Sequence, residues 1–293
     1  MSGLIIVFKK ELADHLTSWR FLILFAIVFA VGILAIYIDA QYIRAEVVET
    51  RFVFLQLYTT SGQALPLFIF FIAFFMPIVG ITLGFDAINS EHNSGTLSRL
   101  LSQPIYRDTV INGKFLAGVV TMALMLTSIV VLVAGLGLRM IGVAPSSEEV
   151  IRLMVFLFMS VVYGAFWLGL AILFSIFFKR VATSALASIA LWMFFIFLFV
   201  FPFFVQMGQL GFIIMQASPI LLFWQVITIL LIPGARPLGQ IMQSAGGLVP
   251  TSALSIGQSL LTVWPHLVSL LVLTAICFAI SYIKFMREEI RST

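Results

Sequence analysis

From Val181 to Ala235 the chain runs for 55 residues without a single Asp, Glu, Lys or Arg. Each charge at the centre of a membrane helix costs about 2.5–3.5 kcal/mol. Uncharged apolar runs of roughly 18 residues or more therefore mark bilayer spans rather than the core of a water-soluble domain. Such runs recur, and spans are predicted at about 20–38, 64–86, 113–138, 152–178, 182–204 and 261–284. Composition agrees: 62% of residues are hydrophobic, 10% are charged and mean hydropathy is +1.17, which excludes a soluble globular class. The expected fold is an all-α membrane protein of six transmembrane helices in one domain over residues 1–293.

The long uncharged run has room for two spans, but Pro219 falls in the middle of the second, where it would break the hydrogen-bond ladder. A seventh span would also move the C-terminal Lys284, Arg287 and Arg291 across the bilayer. The region 208–260 is therefore expected to form a broken, re-entrant hairpin and loop on the outer side, its backbone covered by protein. The first apolar run exceeds a signal-peptide core and lacks a following cleavage site, so it is expected to stay as an anchor. Cys277 is the single cysteine and forms no internal disulfide.

Direction follows from Lys and Arg. When connecting segments are assigned alternately to the two sides, eleven basic residues fall with the termini and five (Arg44, Arg51, Arg139, Arg152 and Arg236) fall opposite. Both termini are expected to be cytoplasmic. Trp19 and Tyr282 then lie at the inner interface, with Tyr37 and Trp264 at the outer one. Before the first span, residues 4–16 place Ile5, Phe8, Leu12 and Leu16 on one stripe, the pattern of an amphipathic helix in the inner interface. A plain cytoplasmic extension of the first span is the alternative.

The polar stretch 90–107, between the second and third spans, reads as a short cytoplasmic helix. Asn93 or Ser94 can cap it, Leu97, Leu100 and Leu101 share a face, and Pro104 ends it. Two turns are unstable alone. The mixed flanking charges, Asp86 and Glu91 against Arg99 and Arg107, suit a protein partner better than a lipid surface.

The run "FDAINSEHNSGTLSRLLSQPIYRDTVINGKFLAG", 85–118, resembles the cytoplasmic loop of type-two ABC transporter permeases, the membrane subunits of ABC exporters. The matching residues are Glu91, Gly95, Thr96, Leu97, Leu100, Leu101, Pro104 and Arg107, followed by Gly113 and Lys114, which open the third span in that pattern. Ser98 departs from it, standing where Glu is common. The segments "FKKELADHLTSWRFLIL" and "FMREEIRS" resemble the two ends of such chains.

The resemblance implies a permease that pairs with a second permease, identical or different, around a translocation pathway in a prokaryotic cell membrane. It implies a coupling helix at 90–107 that docks on separate ABC ATP-binding subunits. The chain would hold no cofactor, with ATP and Mg bound by the partner ATPase. Its sequence agrees, since Gly113-Lys114 is followed by Phe115 and no phosphate loop is present. No nucleic-acid partner is expected.

An enzyme acting inside the membrane, or a permease that transmits force without transporting, are the alternatives. The former needs clustered acids, bases or nucleophiles at depth, and the predicted spans carry none; no residue is assigned as catalytic or metal-binding. His266 reads as an interfacial side chain. Thr82, Ser160, Tyr163, Gln206, Gln209 and Gln225 are candidates either for a pathway or for helix packing. Small residues four apart, such as Gly80 with Gly84 and Ser160 with Gly164, suggest where helices meet.

Overall fold

Apolar side chains that cannot be placed in water, and backbone groups that cannot be left unpaired in hydrocarbon, together demand helices. The computed structural model describes residues 2–45, 52–59, 67–96, 106–200, 217–232 and 254–287, and every regular element among them is helical. In chain order they are α1 (Ser2–Thr17), α2 (Trp19–Ala45), α3 (Val53–Thr59), α4 (Leu67–Gly84), α5 (Asn89–Asn93), α6 (Arg107–Ile141), α7 (Ser147–Phe177), α8 (Val181–Val200), α9 (Pro219–Leu231) and α10 (Ile256–Arg287). Among the described residues, six stretches are long and apolar enough to cross a bilayer: Trp19–Gln41, Phe68–Asn93, Arg107–Ile141, Ser147–Phe177, Val181–Val200 and Ile256–Arg287.

Helix α7 is the hub. It packs on α4, α6, α8, α9 and α10, and it is mostly buried, whereas α2, α8 and α10 turn much of their apolar surface outward. The α4–α7 crossing is close because glycine permits it. A Cβ on Gly80 would stand 2.9 Å from the Gly164 carbonyl oxygen, and one on Gly84 would stand 2.9 Å from both the Ala171 Cβ and the Leu168 carbonyl oxygen. The small-residue pairs in these two helices therefore meet each other. Near the crossing, the Tyr163 and Phe223 rings stack at 4.1 Å, and the Tyr163 hydroxyl donates to the Ala73 carbonyl at 3.1 Å.

Exposed aromatics mark two levels. Trp19 and Tyr37 on α2 are 79% and 56% exposed. They lie eighteen residues apart, about 27 Å of helix, close to the thickness of a bilayer's hydrocarbon. Trp264, also exposed, and the half-buried Tyr282 on α10 have the same separation. Amphipathic rings at that spacing suit two membrane–water interfaces.

Pro219 does interrupt the long uncharged run, but by starting a helix. Ser218 is extended, Pro219 is the first residue of α9, and the missing N–H falls where no intrahelical partner exists. At 13 residues α9 reaches only about 20 Å, too short to cross, and it is buried against α7 and α10. Residues 208–216 and 233–253 of the expected hairpin lie outside the described residues.

The helices run past the expected span limits and carry ionisable groups there that are buried. Helix α2 continues past Asp39 to Ala45, so Asp39 falls at the end of the candidate span, fully buried, with neither carboxylate oxygen hydrogen-bonded among the described residues. Helices α6 and α7 likewise begin before the expected limits. Gly113 and Lys114 lie well inside α6, which starts at Arg107, and Arg152 lies inside α7.

Candidate functional site: an ion-paired joint at the rim that carries both chain ends

The segment after α4 is held on two sides. On the first, the Ser175 hydroxyl of α7 accepts from the backbone N–H groups of Ile88 at 2.9 Å and Asn89 at 3.1 Å. The Asn89 amide donates to the Phe178 carbonyl at 3.3 Å, and Asn93 donates to the Lys179 carbonyl at 3.0 Å. Polar side chains thus cap the free carbonyls at the end of α7 and dock α5 there.

On the second side lies a charge cluster. The Lys114 ammonium, buried on α6, stands 2.9 Å from Glu91 of α5 and 2.9 Å from Glu11 of α1. Lys10 adds contacts to Glu11 at 3.0 Å, Asp14 at 3.5 Å and Glu91 at 3.7 Å. Helix α1 can come this near because position 113 has no side chain: a Cβ there would stand 2.8 Å from a Val7 methyl. Arg20 adds a separate ion pair to Asp86, and its guanidinium lies 5.5 Å from the Phe85 ring centroid.

Burial alone would raise the Glu11 carboxyl, but the Lys114 and Lys10 ammoniums beside it hold it below the ordinary carboxylate value. His15 is shifted the other way for its type of charge: burial disfavours the imidazolium and lowers its pKa.

The predicted site residues divide. Glu91 faces inward and belongs to the joint, with 15% of its side chain exposed. Gly95 adopts φ +68°, the left-handed conformation that stops α5, and its N–H donates to the His92 carbonyl at 3.2 Å. Thr96 is exposed and donates to the Glu91 carbonyl at 3.3 Å. Arg107 opens α6 after extended Tyr106. Leu97, Leu100, Leu101 and Pro104 lie outside the described residues.

Sequence reasoning missed Lys10, Glu11, Asp86, Asn89 and Ser175, whose roles arise only when distant segments meet. It also missed a second charge cluster at the opposite rim. Arg152, fully buried, donates to the Leu230 carbonyl at 3.0 Å, the Leu254 carbonyl at 2.6 Å and the Ser259 hydroxyl at 3.1 Å. It pairs with Glu148 at 3.0 Å and lies 5.4 Å from the Phe52 ring centroid. Next to it Glu149 accepts from the Phe54 and Leu55 N–H groups at the start of α3, while forming a capping box with Ser146. The S-x-x-E spacing was a readable signal for the box.

Most polar groups considered for a pathway bond to nearby protein. Thr82 donates to Ile78, Ser160 to Phe156, and His266 meets Gln225 at 3.1 Å. Gln206 and Gln209 lie outside the described residues.

Six helices fit to cross a bilayer, with a polar segment between the second and third anchored to the bundle by buried charges, define a polytopic membrane protein. The particular family follows from comparison: residues 5–290 match the family described as ABC-2 family transporter protein, and the chain belongs to it. It is similar to NosY of Pseudomonas aeruginosa, described as a probable ABC transporter permease protein, with 30% identity over 194 residues. That match covers 65% of this chain and 66% of the relative, just under two thirds of its length. The chain is thus a multi-pass membrane protein of the ABC-2 transporter family.

Proposed function

We propose that the chain is the transmembrane subunit of an ATP-driven exporter, forming the translocation pathway as a dimer and docking on separate ATP-binding subunits through residues 90–107. Both termini and this segment face the cytoplasm of a prokaryotic cell, and ATP with Mg stays on the partner. The chain forms one domain, with α1 lying in the inner interface. The observation that carries the reading is the joint. Glu91, at the base of the polar segment, is clasped by Lys114 of α6, which also holds Glu11 of α1, while Asn89 and Asn93 tie the same segment to the end of α7. A push on the segment is therefore delivered to two spans and to α1.

The test is Leu100→Asp. Loss of a buried Leu costs roughly 1.5–3 kcal/mol, and an unpaired carboxylate adds a desolvation penalty. Docking should weaken more than about a hundredfold, with membrane yield unchanged and Ser98→Asp mild. Retention of the ATP-binding subunit by Leu100→Asp, read by co-purification, would remove this segment as the coupling element.

A further inference from the structure

The rim that carries the joint is divided electrostatically. In the sector of α1, α4 and α6, Lys10, Arg20 and Lys114 each contact at least one carboxylate. Elsewhere on it, where α7 gives way to α8 and α10 ends, stand Lys179, Arg180, Lys284 and Arg287. All four are exposed, and none forms an ion pair with a carboxylate among the described residues. Glu288 and Glu289 follow Arg287 in the chain and lie outside those residues.

The packing of α7 on α10 brings Lys284 to the end of α7, where its ammonium lies 5.7 Å from the centroid of the Phe177 ring, two residues before Lys179. Directly beside them the surface is hydrocarbon. Ile276, Ile280 and Ile283 are 49%, 43% and 51% exposed and recur at i, i+4 and i+7, a stripe about 10 Å long that leads from Lys284 toward the middle of α10. Phe177 is 52% exposed at the head of this stripe.

We propose that this surface binds an anionic phospholipid of the cytoplasmic leaflet. Its phosphate is held by Lys284, Arg287 and the Lys179–Arg180 turn, and one acyl chain lies along the isoleucine stripe. The leaflet assignment rests on the orientation proposed above. Charge complementarity selects an anion: two guanidiniums offer forked donors to phosphate oxygens, and two ammoniums add mobile ones. The adjoining stripe selects an amphiphile over a soluble acidic protein, which would match the charges and leave the hydrocarbon uncovered. In the α1, α4 and α6 sector of the same rim Lys9 is the one exposed cation without a carboxylate partner among the described residues, against four at the patch, so the preference should be strongest at the patch.

The test uses the full-length chain in its complex with the co-purifying ATP-binding subunit. It is stripped of native lipid and equilibrated in detergent with equal amounts of dioleoyl phosphatidylglycerol and dioleoyl phosphatidylcholine, and retained lipid is counted by native mass spectrometry. The wild type should prefer phosphatidylglycerol. Lys284→Gln/Arg287→Gln should lose about fivefold of that preference per cation removed, and Lys179→Gln/Arg180→Gln, placed in the turn between helices, should behave alike. Lys9→Gln/Arg139→Gln carries the same change in net charge away from the patch and should keep the wild-type preference.

Unchanged preference in both patch variants overturns the proposal, as does equal loss in the control. Loss of the ATP-binding subunit from the patch variants with lipid preference intact would mark an acidic protein interface instead. Because binding in detergent is blind to leaflet, failure of the orientation is read separately. Lys179→Cys, in a chain with Cys277→Ser, should resist an impermeant thiol reagent in intact cells, and its labelling would refute the leaflet assignment alone.

Discussion

The two buried charge clusters solve the same physical problem in opposite ways. Around Lys114 of α6 the partners are side chains on two other elements, Glu11 of α1 and Glu91 of α5. Around Arg152 most partners are backbone: the carbonyls of Leu230 and Leu254 accept from the guanidinium, and the neighbouring Glu149 takes the N–H groups of Phe54 and Leu55. Backbone bonds fix where α3, α9 and α10 begin or end, which makes that rim a brace. Side-chain ion pairs fix only a distance between flexible tips. Coulomb attraction falls slowly with separation, whereas apolar packing loses a quarter to a half of its well within 0.5–1 Å. A charged joint therefore keeps pulling while its parts shift, which is what a coupling element needs and a brace does not.

That contrast is sharpest at Arg152. Arg152→Gln should remove the brace, strand the Leu230 and Leu254 carbonyls that the guanidinium holds, and cost about 3–5 kcal/mol. The expected outcome is loss of folded protein by fluorescence-detected size exclusion. A folded, monodisperse Arg152→Gln chain would mean the backbone ends hold without it.

Lys114→Met should come next, at about 2–3 kcal/mol, less than a fully buried pair because Glu91 retains some exposure. It leaves Glu11 and Glu91 facing each other with only the half-exposed Lys10 beside them. The chain should still insert and purify with a lowered melting temperature. A drop as large as that of Arg152→Gln would erase the distinction between joint and brace.

The pH dependence of the joint follows from Glu11, whose carboxyl is held below its ordinary value. Its contribution is therefore complete above the unfolded value of about 4.3 and is lost as pH falls through the folded value. Hydrogen exchange in α1 should accelerate on acidification below about pH 4, and Glu11→Gln should abolish that pH dependence. Smallest of all should be Arg20→Gln. The Arg20–Asp86 pair is 61% and 26% exposed, so its loss should cost about 0–1 kcal/mol, with a melting temperature close to wild type.

The architecture was legible because hydrophobic length is a local property. Six uncharged runs became six spans, and the Lys and Arg of the rim that carries the chain ends fell together. Legibility stopped at the charges themselves. A helix was expected to end before Asp39, yet backbone hydrogen bonding carries α2 past it to Ala45. Arg152, counted as a loop cation, is buried because α9 and the start of α10 fold over it, contacts made 78 to 107 residues away in sequence. Glu91 was singled out by resemblance, but its partners Lys114 and Glu11 depend on how α1 and α6 pack, and spacing along the chain carries no record of that.

The most direct test of the joint removes its charge while preserving its shape. Glu11→Gln, Glu91→Gln and Lys114→Met together leave a neutral cluster of similar volume, which should recover the stability lost by Lys114→Met alone. The measurement is ATP hydrolysis by the co-purifying ATP-binding subunit, with and without the permease, in lipid nanodiscs. The prediction is a stable, assembled triple variant whose effect on hydrolysis falls at least about tenfold below wild type. A stable triple variant that alters hydrolysis as wild type does would show the ion pairs to be structural only, and would contradict the account.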